Sequence, residues 1–397
     1  MSGEPPSTSG PDQPAASGPV RRRAWFTDTF KDVNGVAKTI RNLTAACAAA
    51  GHDLRIVTCL SHPGQPPTGC PASTIKNFQP LGEFAMPAYR SQTLSIPPAH
   101  RIRDYLRREN FSEVILSTPG PVGLAALAAA NRLGLPATAI DHTDFPQYAR
   151  ILTGSAFLES LTTRYLRWFY SRCGLLLVNS AHYRQLWIER GIAPGKIQLL
   201  PRGVDTERFH PARRDTGFWM RRGAPGNSKV LLYAGRISKE KNFEVLAAAW
   251  AAIRNPQLAL AIVGDGPHLP RLRELLPGAL FTGCLEGDEL ATAYASADCF
   301  VFPSTTDTFG NVVAEALSSG LPAVVSDQGG PKDLVLEGLT GRITRANNAE
   351  SFAHGISRLL ADPAQLTQMS QHARASMQNR SWSAAGRAFW ELSPAAT

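Results

Sequence analysis

Residues 303–320 read PSTTDTFGNVVAEALSSG, and this stretch decides how the 397-residue chain is read. It follows the short apolar run 299–302, which predicts a buried strand, and Gly310 then opens a helix. Backbone N–H groups of the 308 to 311 turn, at Thr308, Phe309 and Gly310, face any anion that sits at the positive helix end. Asp307 lies just before that helix and Glu315 lies within it. Two carboxylates beside an anion-binding helix end suit a ligand with hydroxyls to donate and a phosphate to be held. A nucleotide sugar is such a ligand. A capped α/β unit with one acid near its helix start looks similar, so the stretch needs support from the rest of the chain.

That support begins with periodicity. Short apolar runs at 22–27, 54–59, 114–117, 137–141 and 175–179 alternate with helical patterns at 36–50, 122–133, 156–172 and 181–190. The alternation repeats with strands at 229–234, 258–263, 280–282, 299–302 and 323–325. Parallel sheets covered by crossover helices produce this pattern, so the fold class is α/β with two doubly wound, Rossmann-like domains facing across a cleft. The junction falls near 200–213, where Pro, Gly and charge mix with little periodicity. The chain divides into a disordered tail at 1–20, a first domain at 21–204, a second at 205–375, and a final amphipathic helix within 376–397 that packs back on the first domain.

Composition sets the bounds. Length and 43% apolar content suit two cores. The six cysteines form no CxxC pair, so neither a zinc site nor a disulfide framework is signalled, and reduced thiols in a cytoplasm fit best. No apolar run reaches the length of a membrane span. Arg21, Arg22 and Arg23 suggest twin-arginine export, but the polar TDTFKD stands where an apolar region is required, and export is rejected. The net charge of +9 sits mostly in the first half. Arg101, Arg103, Arg107 and Arg108 cluster there, and Arg164, Arg167 and Arg172 interleave with Tyr165, Trp168, Phe169 and Tyr170. A solvated basic face over a core-facing aromatic stripe accounts for this, and so does an anionic membrane surface or an acidic acceptor. No nucleic-acid motif accompanies the charge, and nucleic acid is not expected as a partner.

In open α/β sheets ligands bind beyond the carboxyl ends of the strands. After the first strand, TDTFKDVNG brings Asn34 and Gly35 to a helix start, where Gly35 has no Cβ to obstruct a diphosphate. In AGRISKEKN, Arg236 and Lys241 flank a turn and can neutralise a diphosphate leaving group. VGDGP at 263–267 and FTGC at 281–284, with Gly283, are backbone-lined turns suited to reading a nucleotide base. His142, in DHTDFPQY, follows a first-domain strand and points into the cleft opposite Asp307.

With these pieces in order, the sequence resembles the retaining glycosyltransferases of family 4, of the two-domain GT-B architecture, over roughly 27–360. AGRISKEKN looks like the family's phosphate-binding segment, and DTFGNVVAEALSSGLPAVVS looks like its E-x7-E signature. STPGPVGL at 117–124 and HTDFPQY at 142–148 are similar to the subgroup of GDP-mannose-dependent α-mannosyltransferases and sulfoquinovosyl-lipid synthases. Two departures stand out: Asp307 replaces the leading glutamate, and Asn34-Gly35 replaces a glycine pair. The resemblance implies donor binding by Gly35, Arg236, Lys241, Gly283, Thr308, Phe309, Gly310 and Glu315, with Glu315 on the ribose. It implies reaction at His142 and Asp307. The expected activity is transfer of a hexosyl group, mannosyl favoured, from a nucleotide diphosphate sugar to an acceptor hydroxyl on a lipid or glycan, with retention. A UDP-sugar-dependent glycolipid synthase, a GT-B sugar-nucleotide epimerase and an inactive donor-binding scaffold are the alternatives. The chain has no Asp-x-Asp, and neither a metal nor another cofactor is expected. A nicotinamide oxidoreductase is disfavoured, because no strand is followed by G-x-G-x-x-G with an acid at the next strand's end. The expected location is the cytoplasm, peripheral on the inner face of the membrane.

Overall fold

The computed structural model describes residues 21–30, 35–62, 70–86 and 89–394. The tail 1–20 and Asn34, both singled out above, lie outside the described residues. The strands in chain order are β1 (Arg22–Phe26), β2 (Asp53–Cys59), β3 (Ile75–Phe78), β4 (Gly82–Met86), β5 (Tyr89–Ile96), β6 (Glu113–Leu116), β7 (Ala137–Asp141), β8 (Leu175–Val178) and β9 (Ile197–Leu199). They continue as β10 (Lys229–Ala234), β11 (Leu258–Val263), β12 (Leu280–Gly283), β13 (Cys299–Phe302), β14 (Ala323–Ser326) and β15 (Gly341–Thr344).

Two parallel sheets result, in the orders β3-β2-β1-β6-β7-β8-β9 and β12-β11-β10-β13-β14-β15. β4 and β5 form a separate antiparallel hairpin. The strand order reverses between β1 and β6 in the first sheet and between β10 and β13 in the second, and at such points the loops diverge and leave a crevice. The 303–310 turn follows β13, so the stretch that opened the sequence reading stands at a switch point. Each sheet is one or two strands wider than periodicity predicts. The additional strands β3, β9 and β15 are three or four residues long, too short for an apolar alternation to register.

Period-two alternation divides the first sheet cleanly. Ala24, Phe26, Val114, Leu116, Leu176 and Val178 face one apolar layer, while Trp25, Ile115, Ile140, Leu175 and Leu177 face the other. The second layer is closed by helix Gly35–Ala49 and by the last helix, Trp382–Glu391, whose Phe389 ring lies 5.2 Å from that of Trp25. The basic run 21–23 has a structural task at this place. Arg21 donates to the Trp390 and Leu392 carbonyls at 2.6 and 2.8 Å, and Arg23 donates to the Phe389 carbonyl at 3.0 Å, which satisfies the open C-terminal end of that helix. Glu113 balances both arginines, at 3.2 and 2.8 Å.

Candidate functional site

The 303–310 turn is held from beneath by main chain. Gly310 has φ +91° and ends the turn, and helix Asn311–Ser318 starts after it. Gly330 N donates to the Asp307 carbonyl at 2.7 Å, which ties the loop after β14 to the turn. The loops after β10 and β11 approach just as closely. A Cβ at Gly264 would come within 1.9 Å of the Gly235 carbonyl oxygen, and one at Gly266 within 2.2 Å of the Ile237 oxygen, at φ +136° and +158°. The VGDGP motif is therefore first of all a backbone-on-backbone contact. Gly283 joins the same layer by accepting from Gly264 N at 2.8 Å.

Lys241 and Asp307 are brought together on this frame. Lys241 Nζ donates to both Asp307 oxygens at 2.8 Å, and Ser304 Oγ donates to Asp307 Oδ2 at 2.5 Å. Each of the pair keeps some exposure, so a ligand can reach both. Arg236 is exposed on the same loop, and its carbonyl accepts from the Tyr233 hydroxyl at 3.0 Å. The two acids of the E-x7-E-like stretch do not share a partner. Glu315 is buried and takes Lys38 Nζ at 2.6 Å and the Tyr294 hydroxyl at 3.2 Å. It faces a cavity of about 110 Å³ whose lining includes Lys38, Asn42, Arg208, Phe209 and Trp382.

Across the cleft, His142 follows β7 and is almost fully buried. Ser117 Oγ accepts from Trp25 Nε1 at 2.5 Å and stands 3.3 Å from His142 Nε2. The other ring nitrogen, Nδ1, has no partner among the described residues. Burial, with help from the Arg202 charge, pushes the His142 pKa down to about 3, so the ring is neutral. Asp28, after β1, is also buried. It accepts from Thr118 Oγ1 and from Val122 N, and burial raises its pKa to about 6 against these hydrogen bonds.

Several contacts join the two sides. Thr308 Oγ1 donates to the His142 carbonyl at 2.7 Å and accepts from Asn179 Nδ2 at 2.9 Å. Arg202 donates to Asn179 Oδ1 at 3.1 Å and to Asn311 Oδ1 at 2.7 Å, and its guanidinium stands 4.6 Å from the Phe309 ring centre. Gly35 lies against Asn311, whose Nδ2 would be 3.0 Å from a Cβ there. Lys38 reaches Glu315 from the same helix. Sequence reasoning missed Arg202, Asn179, Ser117 and Lys38. Arg202 fell in the aperiodic stretch assigned to the junction, and the other three act through partners more than a hundred residues away or on another strand.

Seen from the ligand's side, the arrangement offers a lysine and an exposed arginine for an anion. It also offers a carboxylate for hydroxyls and a neutral imidazole opposite. No cluster of three or more His, Cys, Asp or Glu that could hold a metal occurs among the described residues.

Comparison with known proteins agrees with this geometry. Residues 33–208 match the family model described as Glycosyltransferase Family 4, and residues 219–376 match that described as Glycosyl transferases group 1. The chain is 32% identical to a sulfoquinovosyl transferase of Arabidopsis thaliana, over 92% of this chain and 72% of the relative. It is 32% identical to a GDP-mannose-dependent alpha-mannosyltransferase of Mycobacterium tuberculosis, over 91% and 93% of the two chains. Among solved structures, sucrose-phosphate synthase of Thermosynechococcus elongatus superposes with a TM-score of 0.74 at 21% identity, over 94% of this chain and 98% of that one. Anabaena HepE in complex with UDP and glucose superposes with a TM-score of 0.72 at 16% identity, over 94% and 98%. Two doubly wound sheets, a site where their switch points meet, and relatives matched over about nine-tenths of this chain lead to one assignment: the chain is a glycosyltransferase belonging to family 4, with the GT-B fold.

Proposed function

We propose that the chain transfers a hexosyl group, mannosyl in first place, from a nucleotide diphosphate sugar to the hydroxyl of a lipid or glycan acceptor, with retention and without a metal. The observation that carries this reading is the Lys241–Asp307 pair at the second switch point, with His142 Nδ1 on the facing loop buried and without a partner among the described residues. Donor binding exchanges that ion pair for ligand contacts. Lys241 and Arg236 take the diphosphate, Asp307 accepts from sugar hydroxyls, and His142 Nδ1–H donates to another hydroxyl of the same sugar. Glu315 accepts from the ribose in exchange for Lys38.

In the reaction the bond from C1 to the leaving phosphate oxygen breaks as the acceptor oxygen attacks C1 from the same face. The leaving phosphate takes the acceptor proton. Main-chain N–H groups at Phe309 and Gly310, together with Lys241, stabilise the charge that develops, so cationic side chains and a helix end do the work of a divalent ion. A mannosyl donor is favoured because mannosyltransferases dependent on GDP-mannose recur among the relatives, including one of Corynebacterium glutamicum at 30% identity. The 32% likeness to a sulfoquinovosyl transferase supports a UDP-sugar-dependent glycolipid synthase as the second reading.

The test is a ligand-induced thermal shift with GDP, UDP, ADP and their sugar conjugates, since a ligand that binds only the folded state raises its stability by mass action. A selective shift with GDP-mannose supports the first reading, and one with a UDP-sugar transfers weight to the second. Absence of any shift from well-folded protein overturns donor binding. Product anomeric configuration, and turnover in the presence of a chelator, then test retention and metal independence.

A further inference from the structure

A surface helix ordinarily turns one apolar stripe inward and polar groups outward. Helix Ala156–Ser171 carries apolar stripes on both sides. Leu166, Phe169 and Tyr170 are buried against the first sheet's core. On the other side Phe157 is 74% exposed, Leu161 51%, Trp168 42% and Tyr165 37%. At 100° per residue these four fall on one face, and Arg164 and Arg172 share it. The preceding helix, Phe145–Thr153, adds exposed Leu152. The acid of this helix, Glu159, points elsewhere and is paired with Arg150 at 3.6 Å.

We infer that this face docks the protein on a bilayer containing anionic lipid. Four large apolar side chains exposed together on one helix face are uncommon on a surface that meets only water. Its make-up is that of an element lying in a membrane interface. Aromatic side chains are interleaved with arginines whose stems cover apolar surface while their heads reach phosphate, and Arg172 already lies 4.2 Å from the Trp168 ring centre. The surrounding half of the chain carries most of the +9 net charge, which attracts anionic headgroups and repels a second copy of the same face. No described helix is long and apolar enough to cross a membrane, so attachment through these residues is in the plane of the surface.

Position adds a functional reason. Helix Phe145–Thr153 starts three residues after His142, and the Tyr165 hydroxyl donates to the Pro119 carbonyl in the loop after β6. The apolar face therefore adjoins the acceptor side of the cleft, where a lipid-borne hydroxyl would enter without leaving the interface. This last step rests on the lipid-acceptor reading above, whereas the docking itself does not.

The experiment is vesicle flotation of the full chain with phosphatidylcholine alone and with added phosphatidylglycerol. It compares wild type, the triple variant Phe157→Ser/Leu161→Ser/Trp168→Ser, and the double variant Arg164→Glu/Arg172→Glu. The wild type is expected to float with the anionic vesicles. Both variants are expected to lose about tenfold or more in bound fraction. Retention of the nucleotide-induced thermal shift by each variant shows that the fold and the donor site are intact, so a failure of docking is separable from a failure of the transferase reading. Wild type that stays unbound, or a triple variant that floats like wild type, overturns the proposal. So does a double variant that keeps its preference for anionic vesicles, or a vesicle-independent dimer abolished by the triple variant, which would make the face an interface between copies.

Discussion

The turn 303–310 and the loop 142–145 touch through Thr308 and the His142 carbonyl, yet their polar groups are in opposite states. Around the 303–310 turn the acids are answered within the protein. Lys241 and Asp307 neutralise each other, Glu315 is held by Lys38, and close-packed main chain supports the turn. On the facing loop His142 Nδ1 is buried without a partner among the described residues, and the neighbouring helix shows apolar residues to solvent. A site whose charges are already paired must exchange them for ligand contacts, which favours a ligand that presents cation-binding and hydroxyl-bearing groups together. A site with an unpartnered nitrogen and apolar rims is completed only when something binds.

The largest test of this contrast is to break the donor-side pair. Lys241→Ala and Asp307→Ala are each expected to lower kcat about a hundred- to thousandfold while the protein still melts cooperatively. Near-wild-type turnover in either would remove that residue from the site. A double variant that loses no more than the singles would show that the two act as a unit, as the bidentate contact suggests.

Glu315 tests whether a buried ion pair gives way to the donor. Glu315→Ala is expected to weaken donor affinity about ten- to a hundredfold by titration calorimetry, the range for losing a hydrogen bond to a charged group. Unchanged affinity would sink the ribose assignment. Lys38→Met should leave donor affinity equal or tighter, because Lys38 competes for the same carboxylate.

Arg202 spans the two sides, and its environment sets stability against rate. Burial lowers its pKa to about 9, and it forms no ion pair among the described residues; its partners are the amides of Asn179 and Asn311. Replacing a cation so placed by an apolar group of similar length costs little folding stability and can add some. Arg202→Met is therefore expected to melt at or above the wild-type temperature while kcat falls about tenfold, because the helix that opens at Asn311 is no longer aligned to the loop of His142. A parallel loss of stability and rate would reduce Arg202 to a structural role.

These predictions also mark where the sequence was legible. The 303–320 stretch could be read because strand, glycine and helix are local signals, and AGRISKEKN stood out because its cations follow a strand. Arg21 and Arg23 could not be interpreted locally, since several of their partners are carbonyls near the other end of the chain. The aromatic run 165–170 was half legible. Phe169 and Tyr170 face the core as a helical stripe requires, but only the packed structure shows that Tyr165 and Trp168 turn outward. Arg202 was hidden for a different reason: a stretch with no periodicity reads as a linker whatever its side chains hold.

The smallest expected effect concerns the open side, and it follows from the His142 ring. Burial, with the Arg202 charge, takes its pKa from the ordinary 6.5 down to about 3. In the intervening range the unfolded chain binds a proton that the folded ring refuses, so this group's contribution to stability is present above pH 6.5 and is lost as pH falls toward 3. Asp28, Asp141 and Glu113 act in the opposite sense. Burial raises them to about 6, 7 and 7, so the folded state keeps protons that the unfolded state releases, and their contribution declines as pH rises through that window. A melting profile of wild type alone mixes the two signs. The difference between wild type and His142→Gln cancels the carboxylates and isolates the ring, and the variant should gain about 2 °C on wild type between neutral pH and pH about 5. A difference that stays flat with pH would mean that the ring titrates normally and is in contact with water. The unpartnered nitrogen on the His142 loop, and with it the contrast between the two faces of the cleft, would then be lost.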